Sequence, residues 1–188
     1  MPKIENNNLP KGYISFSAWK LWQTSKEKFY NKYILGEEER RTEALILGKK
    51  FAEEQEIKNG KYGEIAIECF TLNGLKIYGK CDFFDGNKII DDKTSKNFKN
   101  IHKRAEEQIL FYQLIVFRSD NKIVEGEIHH YQTRDDMDIL LGHEQIDNKP
   151  TIYKCKKPTI KKLLALEKKL EKDAINIIKY LQWKKNLK

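Results

Sequence analysis

Residues 78–96 read YGKCDFFDGNKIIDDKTSK and set four aspartates, Asp82, Asp85, Asp91 and Asp92, among apolar residues of sheet character. Phe83, Phe84, Ile89 and Ile90 call for burial, and charges on the same strands are costly to bury unless paired or bound to a metal. Side chains alternate along a strand, so Asp91 and Lys93 share one face and Asp92 takes the other. Gly86 suits a two-residue turn, either Asp85-Gly86 or Gly86-Asn87. Both registers put Asp82 on the face of Asp91 and Lys93, whereas a three-residue loop would reverse it.

Two neighbouring carboxylates raise each other's pKa, and a divalent cation removes that penalty. Oxygen ligands of this hardness suit Mg²⁺ or Mn²⁺. A lysine beside the pair can orient or deprotonate an attacking water and offset charge on a phosphate. Carboxylates, lysine and a basic surface together point to phosphodiester hydrolysis by metal-assisted attack of water. The plain alternative, two surface aspartates beside a lysine, fits the spacing equally well.

The rest of the composition agrees with a polyanionic substrate. The chain has 188 residues, which suits a single domain over 1–188, and Lys+Arg exceed Asp+Glu by 36 to 28 for a net charge of +8. No apolar run of about 18 residues exists to span a bilayer, so no membrane partner is expected. The opening MPKIENNNLPKG lacks the apolar core of a signal peptide. Cys69, Cys81 and Cys155 are too few and too widely spaced for a disulfide framework or a Cys-x-x-Cys site. The expected setting is a reducing cytoplasm, and the wealth of Lys, Ile and Asn hints at an AT-rich genome, that of a bacterium or of a phage and its host. No phosphate-cradling glycine motif implies a nucleotide, and no local pattern nominates a serine or cysteine nucleophile. His129 and His130 are adjacent on a strand and point apart, and His102 and His143 lack partners at ligand spacing.

The elements that must position these residues follow from periodicity. A first helix starts after Ser15 or Ser17 and stops at Gly36, carrying Trp19, Trp22, Phe29, Tyr30 and Tyr33. Trp19, Trp22 and Tyr30 read as core, with base stacking as the other use of such rings. A second helix is expected over about 44–58. Strands follow at 62–71, 75–84 and 88–94, with Asn73-Gly74 as a turn. A helix at about 100–117 and a strand at 122–132 come next, then an ambiguous 133–150 and an edge strand at 151–155. Pro158-Thr159 open the longest helix, about 158–184, whose Ile160, Leu163, Leu166, Leu170, Ala174, Ile177 and Leu181 share a face. Its lysines form either a solvated outer face or one turned toward DNA. The order predicts an α/β fold, a small mixed β-sheet flanked by helices, with its core over about 40–135.

Gly79-x-x-Asp82 followed by Ile90-Asp91-Asp92-Lys93-Thr94 resembles the core of the PD-(D/E)XK nuclease superfamily. The likeness is nearer to its RecB-like exonuclease branch, where Gly-x-x-Asp precedes an apolar strand ending Asp-x-Lys-Thr. Gln108 and Tyr112 match that branch's Gln-x-x-x-Tyr helix, and at i, i+4 they share a helical face. The aromatic-rich SFSAWKLWQTSKEKFYNKYILG resembles its first helix. The resemblance covers roughly 14–132. It implies a restriction-endonuclease-like core with N-terminal helices and a long C-terminal helix. It also implies a Mg²⁺- or Mn²⁺-dependent DNA nuclease, an exonuclease of phage or bacterial recombination, repair or defence. Asp82, Asp91 and the Asp92 backbone carbonyl would hold the metal, Lys93 would assist the water, and Gln108 and Tyr112 would position the substrate. Lys49, Lys50, Lys96, Lys99, Lys103 and Arg104 would flank the DNA path, or form a solvated basic face. Further partners would be a second copy of the chain or a recombination or defence protein.

The sequence departs from the family at Ala52, where the Gly-x-x-x-His or Gly-x-x-x-Glu pattern beginning at Gly48 places a metal ligand or its support. Glu56 lies one turn on and shares its face, and Glu53 sits about 100° around the helix. Three readings stand: Glu56 or Glu53 takes over, the site runs on fewer protein ligands, or the residue was altered to disable the enzyme. The competing functions are accordingly a binding or inhibitor protein that keeps the fold and a structure-selective endonuclease. Relatives with an iron–sulfur cluster use four cysteines, so no cluster is expected here.

Overall fold

A computed structural model describes residues 3–38, 42, 46–51, 53, 64–134 and 145–187. Ser15 caps the first helix, its hydroxyl accepting from the Ala18 N–H at 3.3 Å. The aromatic segment expected as one helix is divided. Helix α1 (Phe16–Thr24) ends where the Thr24 hydroxyl donates to the Lys20 and Leu21 carbonyls. Ser25 then turns extended and caps α2 (Lys26–Tyr30) by accepting from the Lys28 N–H at 3.2 Å. Two consecutive hydroxyls that bond to backbone are sufficient to interrupt the helical ladder. The chain continues as a π-helical turn, Asn31–Leu35, and stops at Gly36 as expected.

Residues 46–51 are helical, while most of the helix predicted over 44–58, including Ala52 and Glu56, lies outside the described residues. The strands are β1 (Ile14–Ser15), β2 (Ile65–Phe70), β3 (Lys76–Cys81), β4 (Phe83–Phe84), β5 (Lys88–Ser95), β6 (Glu125–Gln132) and β7 (Thr151–Cys155). The expected mixed β-structure flanked by helices is present, divided into a sheet of three strands, ordered β1-β3-β2, and one of four, ordered β4-β5-β6-β7. The strand predicted over 75–84 is therefore broken, and Asp82 occupies the bend between β3 and β4 where the chain passes from one sheet to the other.

Helix α3 (His102–Asp120) makes the crossover between β5 and β6, which run parallel. It buries Ile109, Phe111, Leu114 and Ile115 against the strands and against Phe16 and Trp19 of α1. Helix α4 (Ile160–Asn186) starts at Thr159, whose hydroxyl accepts from the Lys162 N–H. Leu163, Leu170, Ala174, Ile177 and Leu181 are buried as predicted. Ile160 is not: as the first helical residue it precedes the packed turns and is 51% exposed. The same inner face also buries Glu167 and Glu171. Arg118 of α3 pairs with Glu167, and the Thr71 hydroxyl and the Asn73 N–H donate to Glu171 at 2.6 and 3.0 Å. These contacts pin the β2–β3 turn to the long helix.

Candidate active site

Gly86 supplies the positive φ of +86° that the β4–β5 turn requires, and the Asp85 N–H closes a two-residue loop onto the Lys88 carbonyl. The resulting register pairs Phe83 with Ile90 and Phe84 with Ile89. One step further along that ladder, Asp82 comes opposite Asp91. Because Asp82 bends out of the strand, its side chain does the pairing. Its Oδ2 accepts from the Asp92 N–H at 2.7 Å, in place of a main-chain carbonyl.

Asp91 projects toward α3. It is 2% exposed, and its Oδ1 accepts from Gln108 Nε2 at 3.3 Å. Its Oδ2 is buried without a hydrogen bond, but the Lys93 ammonium forms an ion pair with it. Gln108 Nε2 also lies 2.6 Å from the Tyr112 hydroxyl, which donates to the Lys80 carbonyl at 2.5 Å. Gln108 and Tyr112 thus turn inward. They link Asp91 on β5 to the main chain of β3, two residues before Asp82.

This link depends on a missing side chain. A Cβ at Gly79 would lie 2.6 Å from Tyr112 Cε1, so only glycine lets the ring approach β3 closely enough to reach Lys80. Glycine inside a strand often marks such an approach. That signal was present in the sequence, whereas the part played by the Lys80 carbonyl was not.

The electrostatics follow from burial. Desolvation lifts Asp82 from the ordinary 3.8 to about 7, the charge of Asp91 adds to this, and the Asp92 N–H and Lys93 oppose it. Desolvation likewise raises Asp91, against the pull of Lys93. Asp92 is raised by burial too, and its side chain points to the other face, where His129 Nδ1 lies 3.7 Å away. Two carboxylates that resist ionisation beside one lysine form a site whose charges are incompletely balanced.

Among the described residues, no group of three or more His, Cys, Asp or Glu side chains is arranged to hold a metal. Asp82 and Asp91 stand as a pair of carboxylates. The histidines separate as expected. His130 Nε2 sits 2.9 Å from Ser95 Oγ on one face, and His129 lies between Asp92 and Glu127 on the other.

Lys96, Lys99, Lys103 and Arg104 are exposed along the loop after β5 and the first turn of α3. Lys49 and Lys50 are also exposed, and Lys49 pairs with Glu53 at 3.4 Å. Their helical segment lies against the end of β5, since a Cβ at Gly48 would sit 3.0 Å from Thr94 Oγ1. Phe51 packs on Tyr131 of β6 with ring centroids 4.5 Å apart. Exposed basic side chains thus lie on the loop after β5, on the first turn of α3 and on the helical segment at the end of β5.

No family model and no curated protein matches the sequence. Solved structures do. One, from Eubacterium rectale and provisionally named an exonuclease, superposes with a TM-score of 0.67 at 12% identity, over 96% of this chain and 88% of that one. The chain shares the fold of that protein. A phage-related exonuclease from Haemophilus somnus 129PT gives a TM-score of 0.53 at 12% identity, over 92% of this chain and 83% of that one. At these identities what is shared is the fold, and the chemistry has to come from the side chains described above. No helix among the described residues is long and apolar enough to cross a membrane.

Proposed function

We propose that the protein is a metal-dependent deoxyribonuclease of the RecB-like PD-(D/E)XK type, acting on DNA ends. The observation that carries this reading is the pairing of the buried Asp91 with the half-buried Asp82 beneath Lys93, whose single ammonium is the ion-pair partner of Asp91 Oδ2. Such a carboxylate pair is costly unless a cation is bound to it. Asp82, Asp91 and the Asp92 carbonyl would hold Mg²⁺ or Mn²⁺, which supplies Lewis-acid activation of water and neutralises phosphate charge.

The remaining roles belong to the chain itself. Gln108 fixes the rotamer of Asp91, and Tyr112 fixes Gln108 while tying it to β3. Lys93, a quarter exposed, is the charged group that can turn from Asp91 toward a water or a non-bridging phosphate oxygen. Lys49, Lys50, Lys96, Lys99, Lys103 and Arg104 hold the DNA by its phosphates, so binding weakens with salt.

Incubation of linear and covalently closed circular duplex DNA with Mn²⁺ or Mg²⁺, with and without EDTA, tests this reading. Loss of only the linear form supports it. Nicking of circles makes the protein an endonuclease, and binding without cutting makes it a binding module. In that last case Ala52→His, assayed in the same way, shows whether position 52 is the cause.

A further inference from the structure

A groove of about 510 Å³ lies between α1–α2 and α4, lined by Trp22, Gln23, Lys26, Lys169, Asp173, Asn176 and Tyr180. Neither the carboxylate pair nor the exposed basic side chains after β5 contribute to it. Two rings line it, the buried Trp22 and the half-buried Tyr180, which meet edge to face at 5.4 Å; beyond the groove Tyr180 continues to Trp183 at 5.9 Å and to Tyr30 at 6.3 Å. Trp183 is 54% exposed at the helix end, a large ring left in water.

Its charges are cationic on the outside. Of the α4 carboxylates, Glu167 and Glu171 are turned inward, to Arg118 and to Thr71 and Asn73, while the lining Asp173 has its charge taken up by the Trp19 indole N–H at 2.8 Å and Gln23 at 3.2 Å. The lysines sit instead over the rings. Lys26 lies 5.2 Å from Trp22, Lys169 5.1 Å from Trp19, and Lys184 between 5.3 and 5.9 Å from Tyr30, Tyr180 and Trp183. Trp19 and Trp22 are buried, but the exposed Trp183 and the half-buried Tyr180 and Tyr30, with Lys184 over all three and exposed amides nearby (Gln23, Asn176), match an unpaired nucleic-acid strand, whose bases stack while its phosphates meet ammonium groups. A duplex, with its bases already stacked inside, gains nothing from such rings.

From this we infer that the groove is a second nucleic-acid site that takes single-stranded DNA. It rests on the proposed nuclease reading, because the strand it takes is one separated at the carboxylate pair. One ion pair bridges the helices that carry the two places. Lys20 of α1, one turn before Gln23 and Thr24, pairs at 2.7 Å with Glu107, the neighbour of Gln108.

The test is fluorescence polarisation of a labelled twelve-nucleotide oligo(dT) with the full chain in EDTA, where hydrolysis is suppressed. The expected result is at least tenfold weaker binding for Lys169→Glu/Lys184→Glu and for Trp183→Ala. Blunt duplex binding should change less than threefold, and oligo(dT) should quench tryptophan emission in the wild type but less in Trp183→Ala. All three changes lie at exposed or half-exposed positions, and circular dichroism verifies that the variants are folded. Equal oligo(dT) affinity for wild type and variants, or equal losses for duplex and single strand, overturns the proposal. Cleavage of linear DNA by the wild type, assayed separately with Mn²⁺, reports on the nuclease reading alone, so the two failures are distinguishable.

Discussion

Asp82→Asn removes one charge from the carboxylate pair and keeps an oxygen able to accept the Asp92 N–H. In the wild type the group is lifted from 3.8 to about 7, first by burial and then by Asp91. A carboxyl with a raised pKa in the folded state keeps its proton more tightly folded than unfolded. Its stabilising contribution is therefore complete below the unfolded value and is lost as pH rises through the folded one. The pH-dependent cost to the metal-free wild type is near zero at pH 3 and grows to about 4 kcal/mol by pH 8. Asparagine has no such titration, so the metal-free variant should gain on the wild type by about that amount over the same range. Urea unfolding in EDTA at pH 3.5, 5, 6.5 and 8 measures the difference. At pH 8, Mn²⁺ at one hundred times its dissociation constant should restore about 2.7 kcal/mol to the wild type and little to the variant. Parallel stability–pH curves for the two proteins would refute the reasoning, since they would mean that Asp82 ionises as freely folded as unfolded.

Other consequences are narrower. Gly79→Ala forces a methyl into the Tyr112 ring, and overpacking of this kind costs about 1–3 kcal/mol. It should also weaken Mn²⁺ binding, because Tyr112 and Gln108 hold Asp91, whereas unaltered metal affinity in a calorimeter would show that the link to Lys80 is dispensable. Glu171→Ala leaves the Thr71 hydroxyl and the donors of Asn73 unpartnered at a site 1% exposed, a loss of about 3 kcal/mol or more. At about 2–4 °C per kcal/mol for a chain of this size, thermal unfolding should move down by roughly 6–12 °C. Lys93→Gln should lower kcat on linear DNA by about 10²–10³ while KM changes little, the pattern of a group acting in the transition state. A fall confined to KM would make Lys93 a binding residue only.

Much of this was legible in the sequence because it depended on local rules. Alternation along β5 put Asp91 and Lys93 on one face, and Gly86 fixed the turn that brings Asp82 opposite Asp91. The break of the first helix at Ser25 and the passage of β3–β4 between two sheets were not legible. Each depends on one side chain displacing a backbone partner, Ser25 on the Lys28 N–H and Asp82 on the Asp92 N–H. Periodicity registers neither event. Glu167 and Glu171 interrupt an otherwise apolar face for a long-range reason, since their partners lie 49 to 100 residues away. The inward turn of Gln108 and Tyr112 likewise required the position of β3, and their spacing showed only that they act together.

The central claim is that Asp82 and Asp91 converge on a point where a hard cation binds. Calorimetric titration of Mn²⁺ into the protein at pH 8, wild type against Asp91→Asn, tests it most directly. One saturable site in the wild type, abolished in the variant, is the predicted result. Heat of binding that is absent from the wild type, or identical in the two proteins, would contradict it.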